Sequence, residues 1–192
     1  MEGRSSSIKK IVAVECYADK LFFERLLRNE QIIIKEKNKP EVLKGIKERS
    51  KGIFRIGIVD DDNERIERFI GNEKINRFKW EGYGLEIIQL ESKCHYIIQL
   101  SPNEFEDFIV RYLREFCNKD IEDFGYKTLK DFKSESKSIY QKLIIMPRIN
   151  NLYRYIFETY KYHENSISKL KRILDYLIDK KYNVDFNELK NV

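Results

Sequence analysis

The chain of 192 residues holds only three cysteines, Cys16, Cys94 and Cys117, and no CxxC pair. An odd count without paired spacing argues against a disulfide framework and against a zinc ribbon. Reduced thiols in a cytoplasm are expected. Histidine is equally scarce, with two copies. Cys94–His95 is one soft-metal pair with no second pair to complete a tetrahedral site, and His163 stands alone, so both are read as structural or surface positions. No GxxxxGK[ST] occurs, which excludes ATP hydrolysis through a P-loop. No nucleophile elbow supports a Ser–His–Asp reading. The longest apolar runs are about five residues, against the ~20 that a membrane span requires. Met1 to Lys10 is polar and lacks the apolar core of a secretory signal. A soluble, cytoplasmic protein with no membrane partner is expected. No internal repeat or low-complexity tract is present.

What is abundant is aromatic and charged. The chain is 42% hydrophobic, 36% charged and 13% aromatic, with 12 Tyr, 12 Phe and one Trp. A disordered chain lacks that aromatic load, so this one folds. At this length about 70% of the unfolded surface can be buried, enough for one core plus an appendage. Lys and Arg number 37 against 32 Asp and Glu, a net charge of +5. That balance permits a nucleic-acid partner, and it equally fits a solvated surface of interleaved charges.

Along the chain, residues 1–7 read as a flexible start. Ile8 to Glu15 is a β-branched run, read as a buried strand. Asp19 to Arg28 places Leu21, Phe22 and Leu26 at helical spacing. A second strand is expected at Ile32 to Lys35, and a helix over Pro40 to Arg49, where Pro suits the first turn. A third strand, Phe54 to Val59, runs into Asp60, Asp61, Asp62 and Asn63. A helix from Glu64 to Ile70 then closes on Gly71. This alternation predicts an α/β domain with a largely parallel sheet and right-handed crossovers. Strands are expected at Leu85 to Glu91 and Tyr96 to Leu100. A helix is expected over Ser101 to Cys117, capped by Ser101 or Asn103. Residues 128 to 181 read as wholly helical. The chain thus divides into an α/β domain over 8–120 and a helical extension over 121–192, which packs on that domain or forms a dimer surface.

The acids are placed where a parallel sheet binds ligands, beyond the carboxyl ends of its strands. Glu15 ends the first strand; Asp60 and Asp62 end the third. If those strands are neighbours, three carboxylates converge, repel and raise one another's pKa. A hard divalent cation, Mg²⁺ or Mn²⁺, would relieve that conflict. The i, i+2 spacing points Asp60 and Asp62 the same way if the extension persists, with Asp61 facing away. Asp62 is alternatively a cap for the next helix.

Two segments resemble a known family. VECYADKLFFERLL (Val14 to Leu27) is similar to the first motif of Toprim domains, a strand-end Glu with an Asp four residues on. GIVDDDN (Gly57 to Asn63) is similar to the second, a strand ending in Asp-x-Asp. The resemblance spans about residues 8 to 117 and is nearest to stand-alone Toprim proteins and the overcoming-lysogenization-defect (OLD) nucleases. It implies a Toprim-like, Rossmann-like fold and a metal-dependent nuclease acting on DNA or RNA, in antiviral defence or a toxin-like system. It implies Glu15, Asp60 and Asp62 as catalytic metal holders and Asp19 as a second-metal ligand. EFEDF (Glu104 to Phe108) resembles an acidic stretch of the stand-alone relatives, which adds Glu106 and Asp107 as metal candidates. Those two alternatively form an acidic first turn favoured by the helix dipole. One position departs from the pattern: Cys16 stands where the family usually has Gly, whose backbone permits close approach to phosphate. OLD nucleases carry an ATPase domain in the same chain. With no P-loop here, the resemblance implies a separate ATPase subunit.

The helical extension carries Lys137, Lys142, Arg148, Arg154, Lys169, Lys171 and Arg172, with Tyr140, Tyr153 and Tyr155 interleaved. Lys137, Arg148, Lys171 and Arg172 are the candidates for gripping a nucleic-acid backbone, with the tyrosines stacking bases. The alternative is an ordinary amphipathic helix pair with a charged outer face. Three functional classes follow: a Mg²⁺- or Mn²⁺-dependent phosphodiesterase, a non-catalytic Toprim-like subunit that binds metal or nucleic acid, and a phospho-receiver-like domain. A homodimer through the aromatic extension fits any of them.

Overall fold

A computed structural model of the chain describes residues 10–48, 53–62, 65–91, 95–142 and 147–192, with the side chains of 139–142 left aside. The expected flexible start at 1–7, the first residues of the expected first strand, Cys94, and the side chains of Tyr140 and Lys142 lie outside the described residues.

The order is β1 (Val12–Val14), α1 (Tyr17–Leu27), β2 (Ile33–Lys35), α2 (Lys39–Glu48), β3 (Ile56–Asp60), α3 (Glu67–Ile70), β4 (Ile75–Trp80), β5 (Leu85–Leu90), β6 (His95–Leu100) and α4 (Phe105–Cys117). Four further helices follow: α5 (Leu129–Lys142), α6 (Pro147–Thr159), α7 (Ser166–Lys180) and α8 (Phe186–Lys190). The six strands form one sheet in the order β2-β1-β3-β6-β5-β4. The β1–β2, β1–β3 and β3–β6 pairs are parallel; β5 runs antiparallel to both β6 and β4. The fold is α/β and Rossmann-like.

Strand alternation assigns the two faces. Val12, Val14, Ile56, Ile58, Tyr96, Ile98 and Leu100 pack with α1, α4 and the C-terminal helices in one apolar cluster. Ala13, Val59, Ile88 and Ile97 pack against Val42, Leu43 and Ile46 of α2 and Ile70 of α3 in a second. A parallel sheet covered on both faces is what such β-branched runs require. The C-terminal helices share the first cluster through Ile149, Leu152, Tyr153, Ile156, Leu170 and Leu174, all fully buried.

Several boundaries differ from the sequence reading, each for a local reason. Residues 128–181 are not continuous helix. Pro147 opens α6, and Asn165 caps α7 by accepting from the Ile167 and Ser168 amides at 3.0 and 2.8 Å. Asn165 Nδ2 also donates to the Tyr160 and His163 carbonyls, fixing the turn between α6 and α7. The cap of α4 is Glu104 rather than Ser101 or Asn103. β4 escaped the sequence reading because half of INRFKW is polar. Arg77 and Lys79 suit an edge strand, where charges discourage further pairing.

Gly57 sets the spacing of β3 from α2. A Cβ there would lie 2.2 Å from Ile46 Cδ1 and 2.9 Å from Val42 Cγ1, both inside the second cluster. Gly57→Ala should therefore destabilise the chain by roughly 1–3 kcal/mol through overpacking. The measurement is a urea melt: the midpoint should fall at unchanged slope. An unmoved midpoint would mean that α2 shifts aside at no cost.

Candidate metal centre

The strand order reverses at β1. From β1 the chain moves outward to β2, then returns to place β3 on the other side of β1. Helix α1 lies on one face of the sheet and α2 on the other, so a crevice opens between the carboxyl ends of β1 and β3. Glu15 follows β1 directly, and Asp60 is the last residue of β3. Glu15 Oε1 accepts a hydrogen bond from the Asp60 amide at 2.9 Å.

Asp60 shares the sheet face of Ile56 and Ile58, toward α1 and α4. Its carboxylate accepts no hydrogen bond from any described residue. Burial pushes its pKa from 3.8 up to about 9, and the nearby charges of Asp19, Glu15, Glu106 and Glu104 push the same way. Burial likewise lifts Glu15 from 4.5 to about 7 against the lowering effect of the Asp60 amide, with Asp19 adding to the rise. Glu106, in the first turn of α4, is 3% exposed. Its burial raises it to about 7, opposed by the Ser136 hydroxyl beside it and assisted by Asp19. Asp60 thus lies in the field of Glu15 and Glu106, carboxylates of two other segments, with too little positive charge beside it.

The other acids are engaged. Asp19 is buried and completes a capping box for α1. Its Oδ2 accepts from the Cys16 amide at 3.1 Å and its Oδ1 from the Cys16 thiol at 3.0 Å. Burial raises the Asp19 pKa, opposed by those Cys16 bonds. Cys16, the position of the family's usual Gly, is therefore the N-cap of α1, and burial with the Asp19 charge drives its thiol pKa up, so it stays protonated. Asp61 turns to the opposite face, where its carboxylate accepts from Gln99 at 2.7 Å and from Ser101 at 2.5 Å. Asp62 does not continue the strand; it lies in a bend and pairs with Lys39 at 2.5 Å. Asp107 caps α4 at the Glu104 amide and pairs with Lys133 at 2.7 Å. Sequence reading missed Lys39 and Ser136. Lys39 sits before Pro40 and reads as linker; Ser136 lies on α5, far away along the chain.

The donor chemistry suits a hard divalent cation: carboxylate oxygens, with the Asp60 carboxylate accepting no hydrogen bond from a described residue. The side chains are not drawn to coordination distance. Among the described residues no group of three or more His, Cys, Asp or Glu stands in metal-holding geometry.

The cations proposed for nucleic acid are all ion-paired. Lys137 meets Glu104 at 3.3 Å, Lys171 meets Asp175, and Arg172 grips Glu164 through two nitrogens at 2.5 and 2.7 Å. Arg148 pairs with the buried Glu135, donates to the Gly125 carbonyl at 3.0 Å and covers the Tyr126 ring at 4.6 Å. Tyr153 is fully buried against Phe22, so it offers no ring for base stacking. Tyr155 packs on Phe124. Lys169 is nearly buried, over Trp80 at 5.3 Å and Tyr83 at 5.7 Å. Arg154 is exposed beside Arg25 and Arg28 in a shallow groove between α1 and α6.

Family models, curated proteins and solved structures give no match to this chain. Among the described residues no helix is long and apolar enough to cross a membrane.

The raised carboxyl pKa values carry a stability consequence with a definite sign. Between the unfolded values near 4 and the folded values of about 7 to 9, the folded chain holds protons that the unfolded chain releases. Stability of the metal-free protein should therefore fall as pH rises through that window. The shift of Glu15 to about 7 alone corresponds to about 3 kcal/mol, or roughly 6–12 °C in Tm. Thermal melts from pH 5 to pH 9 in EDTA should show this decline, and millimolar Mg²⁺ should reduce it. A flat profile would mean that these carboxyls are not desolvated in the folded chain.

Proposed function

We propose that this chain is a Mg²⁺- or Mn²⁺-dependent phosphodiesterase acting on nucleic acid. The observation that carries the reading is the gathering of the half-buried Glu15 and Asp60 with the buried Glu106 at the β1–β3 crevice, short of positive charge. Burying like charges together is costly unless a cation or a proton offsets them. A divalent ion bound there would polarise a phosphodiester oxygen and lower the pKa of an attacking water.

The chain's own residues supply the rest. The Asp60 amide fixes one oxygen of Glu15, so that carboxylate is oriented before any ligand arrives. Glu106 is held in the first turn of α4 beside Ser136, on the far side of the crevice. The two sequence motifs that resemble Toprim domains support the choice of phosphodiester over other phosphate chemistry. With it come the associated proposals: cytoplasmic action on DNA or RNA in antiviral defence or a toxin-like system, a separate ATPase subunit, and a homodimer. A second reading, a subunit that binds metal or nucleic acid without turnover, draws on one observation. The three carboxylates are gathered but not at coordination distance, so a partner would have to close the site.

The test pairs wild type with Asp60→Asn on plasmid DNA, single-stranded DNA and structured RNA, in Mg²⁺, Mn²⁺ or EDTA. Metal-dependent cleavage should drop at least about a hundredfold in the variant, more than the loss of an outer-shell partner produces. The variant's metal-free Tm at pH 8 should be no lower than wild type, because wild type must take up a proton at Asp60 to fold at that pH and Asn need not. Metal-induced stabilisation without cleavage would favour the binding-subunit reading. The absence of both would end the phosphodiesterase proposal.

A further inference from the structure

A shallow groove of about 680 Å³ runs between the C-terminal half of α1 and the outer side of α6. Its floor is apolar, formed by the half-buried Leu21 and Phe157. Phe157 packs inward on Phe22, with ring centres 5.1 Å apart, and gives its remaining surface to the groove. The Arg25 guanidinium donates to Asn150 Oδ1 at 2.8 Å and ties the two helices together. Arg28 and Glu30 stand on the α1 wall, Arg154 and Glu158 on the α6 wall, and all four are exposed. No described residue forms an ion pair or a side-chain hydrogen bond with any of these four. Arg154 and Glu158 are one helical turn apart, a spacing at which opposite charges can meet, yet they do not pair. Elsewhere on the C-terminal helices Lys133, Lys137, Lys171 and Arg172 are each matched to a carboxylate.

We infer that this groove seats a second copy of the chain, in a two-fold dimer that packs α6 against α6. The charge pattern selects the occupant. Two unpaired arginines and two unpaired glutamates leave the rim without net charge. A polyanion would gain the arginines but meet the carboxylates, and a basic partner would meet the reverse. A surface that carries the same pattern complements both signs at once. A two-fold axis supplies that surface, because in an isologous contact residue i meets j while j meets i. Arg154 and Glu158 share one face of α6. Antiparallel packing about an axis level with Ile156 sets Arg154 of one protomer against Glu158 of its partner, twice over. It also brings the two Phe157 side chains toward the axis, where their apolar surface leaves water. The sequence left the C-terminal extension two roles, packing on the domain or forming a dimer surface. Helix α6 does both: Ile149, Leu152 and Ile156 are buried in the core, and the opposite side is free to pair. This gives the proposed homodimer its surface and stands apart from the metal reading, since no rim residue belongs to the β1–β3 crevice.

Sedimentation velocity of the full chain across roughly 1–100 μM tests this, a range in which interfaces of modest strength associate. Wild type should pass from monomer to dimer within it. Arg154→Glu and Glu158→Arg should each keep native circular dichroism, since both side chains are exposed. Each should raise the dimer Kd at least about tenfold, because like charges then oppose across the axis. An equimolar mixture of the two variants should recover dimer to within about threefold of wild type, one chain supplying two acids and the other two bases. A dimer built on another surface would not show that rescue. Arg68→Glu reverses an exposed charge on α3, on the other side of the sheet, and should leave the Kd unchanged. A wild type that stays monomeric, single reversals without effect, or no rescue in the mixture would each overturn the inference. If a monomeric wild type bound a labelled oligonucleotide and Arg154→Glu weakened that binding, the groove would belong to nucleic acid instead. None of these readouts uses cleavage or metal, so their failure leaves the phosphodiesterase proposal standing.

Discussion

The hydrogen bond from the Asp60 amide to Glu15 Oε1 joins the carboxyl ends of two adjacent parallel strands, and the rest of the site is arranged around it. It exists because β3 returns beside β1 after the chain has gone out to β2. That reversal puts α1 and α2 on opposite faces and opens the crevice. Each helix then delivers something at its first turn. Helix α1 brings Asp19 and Cys16, α2 brings Lys39, and α4 brings Glu106. The acids toward the α1 and α4 face are left under-compensated; the acid toward α2 is not.

Such an arrangement is expensive in the absence of a bound cation. Its cost is carried by the two apolar clusters that clamp the sheet. Fully burying one Leu, Ile or Phe side chain is worth about 1.5–3 kcal/mol, so a core of this extent can absorb several kcal/mol of unfavourable carboxylate burial. Local destabilisation held in place by a strong surrounding core is common at functional sites. The same reasoning explains Cys16. A thiol kept protonated by burial and by Asp19 serves as a helix cap without adding charge to the crevice.

Much of this was legible in the sequence. The alternation of β-branched runs with 3.6-residue stripes gave the order of the first six elements, and Glu15 and Asp60 fell at strand ends. The adjacency of β1 and β3 could only be posed as a condition, because strand order depends on long-range packing. The i, i+2 argument for Asp60 and Asp62 assumed that extension continues past Asp60. It stops there: Asp61 bridges Asn103, and Asp62 lies in a bend held by Lys39. The long C-terminal run read as unbroken helix from two apolar stripes, Tyr153 to Tyr160 and Leu170 to Ile178, although the residues between them are mostly polar. The Asn165 cap, a signal visible in the letters, marks the break.

The basic residues of the C-terminal helices show why charge counts are poor guides to a binding surface. Their pairs differ physically. Arg148 cannot leave Glu135 cheaply, because that carboxylate is buried and would be stranded. Its guanidinium also closes the turn at Gly125 and covers Tyr126, so it is part of the scaffold. The Lys171–Asp175 pair is solvent-accessible, and such a pair holds its partners by about 1 kcal/mol or less, whereas the two-pronged Arg172–Glu164 pair is held more firmly. A phosphate can displace Asp175 from Lys171 at little cost. Lys137 is the most exposed of the four, and its partner Glu104 is an acid that faces Asp60. An anion arriving at the crevice would meet Lys137 at its rim, whereas Lys171 and Arg172 belong to α7, away from β1 and β3. If the extension guides a nucleic acid toward the acids, the route therefore runs along the α4–α5 edge, where cations are both exchangeable and adjacent to the site.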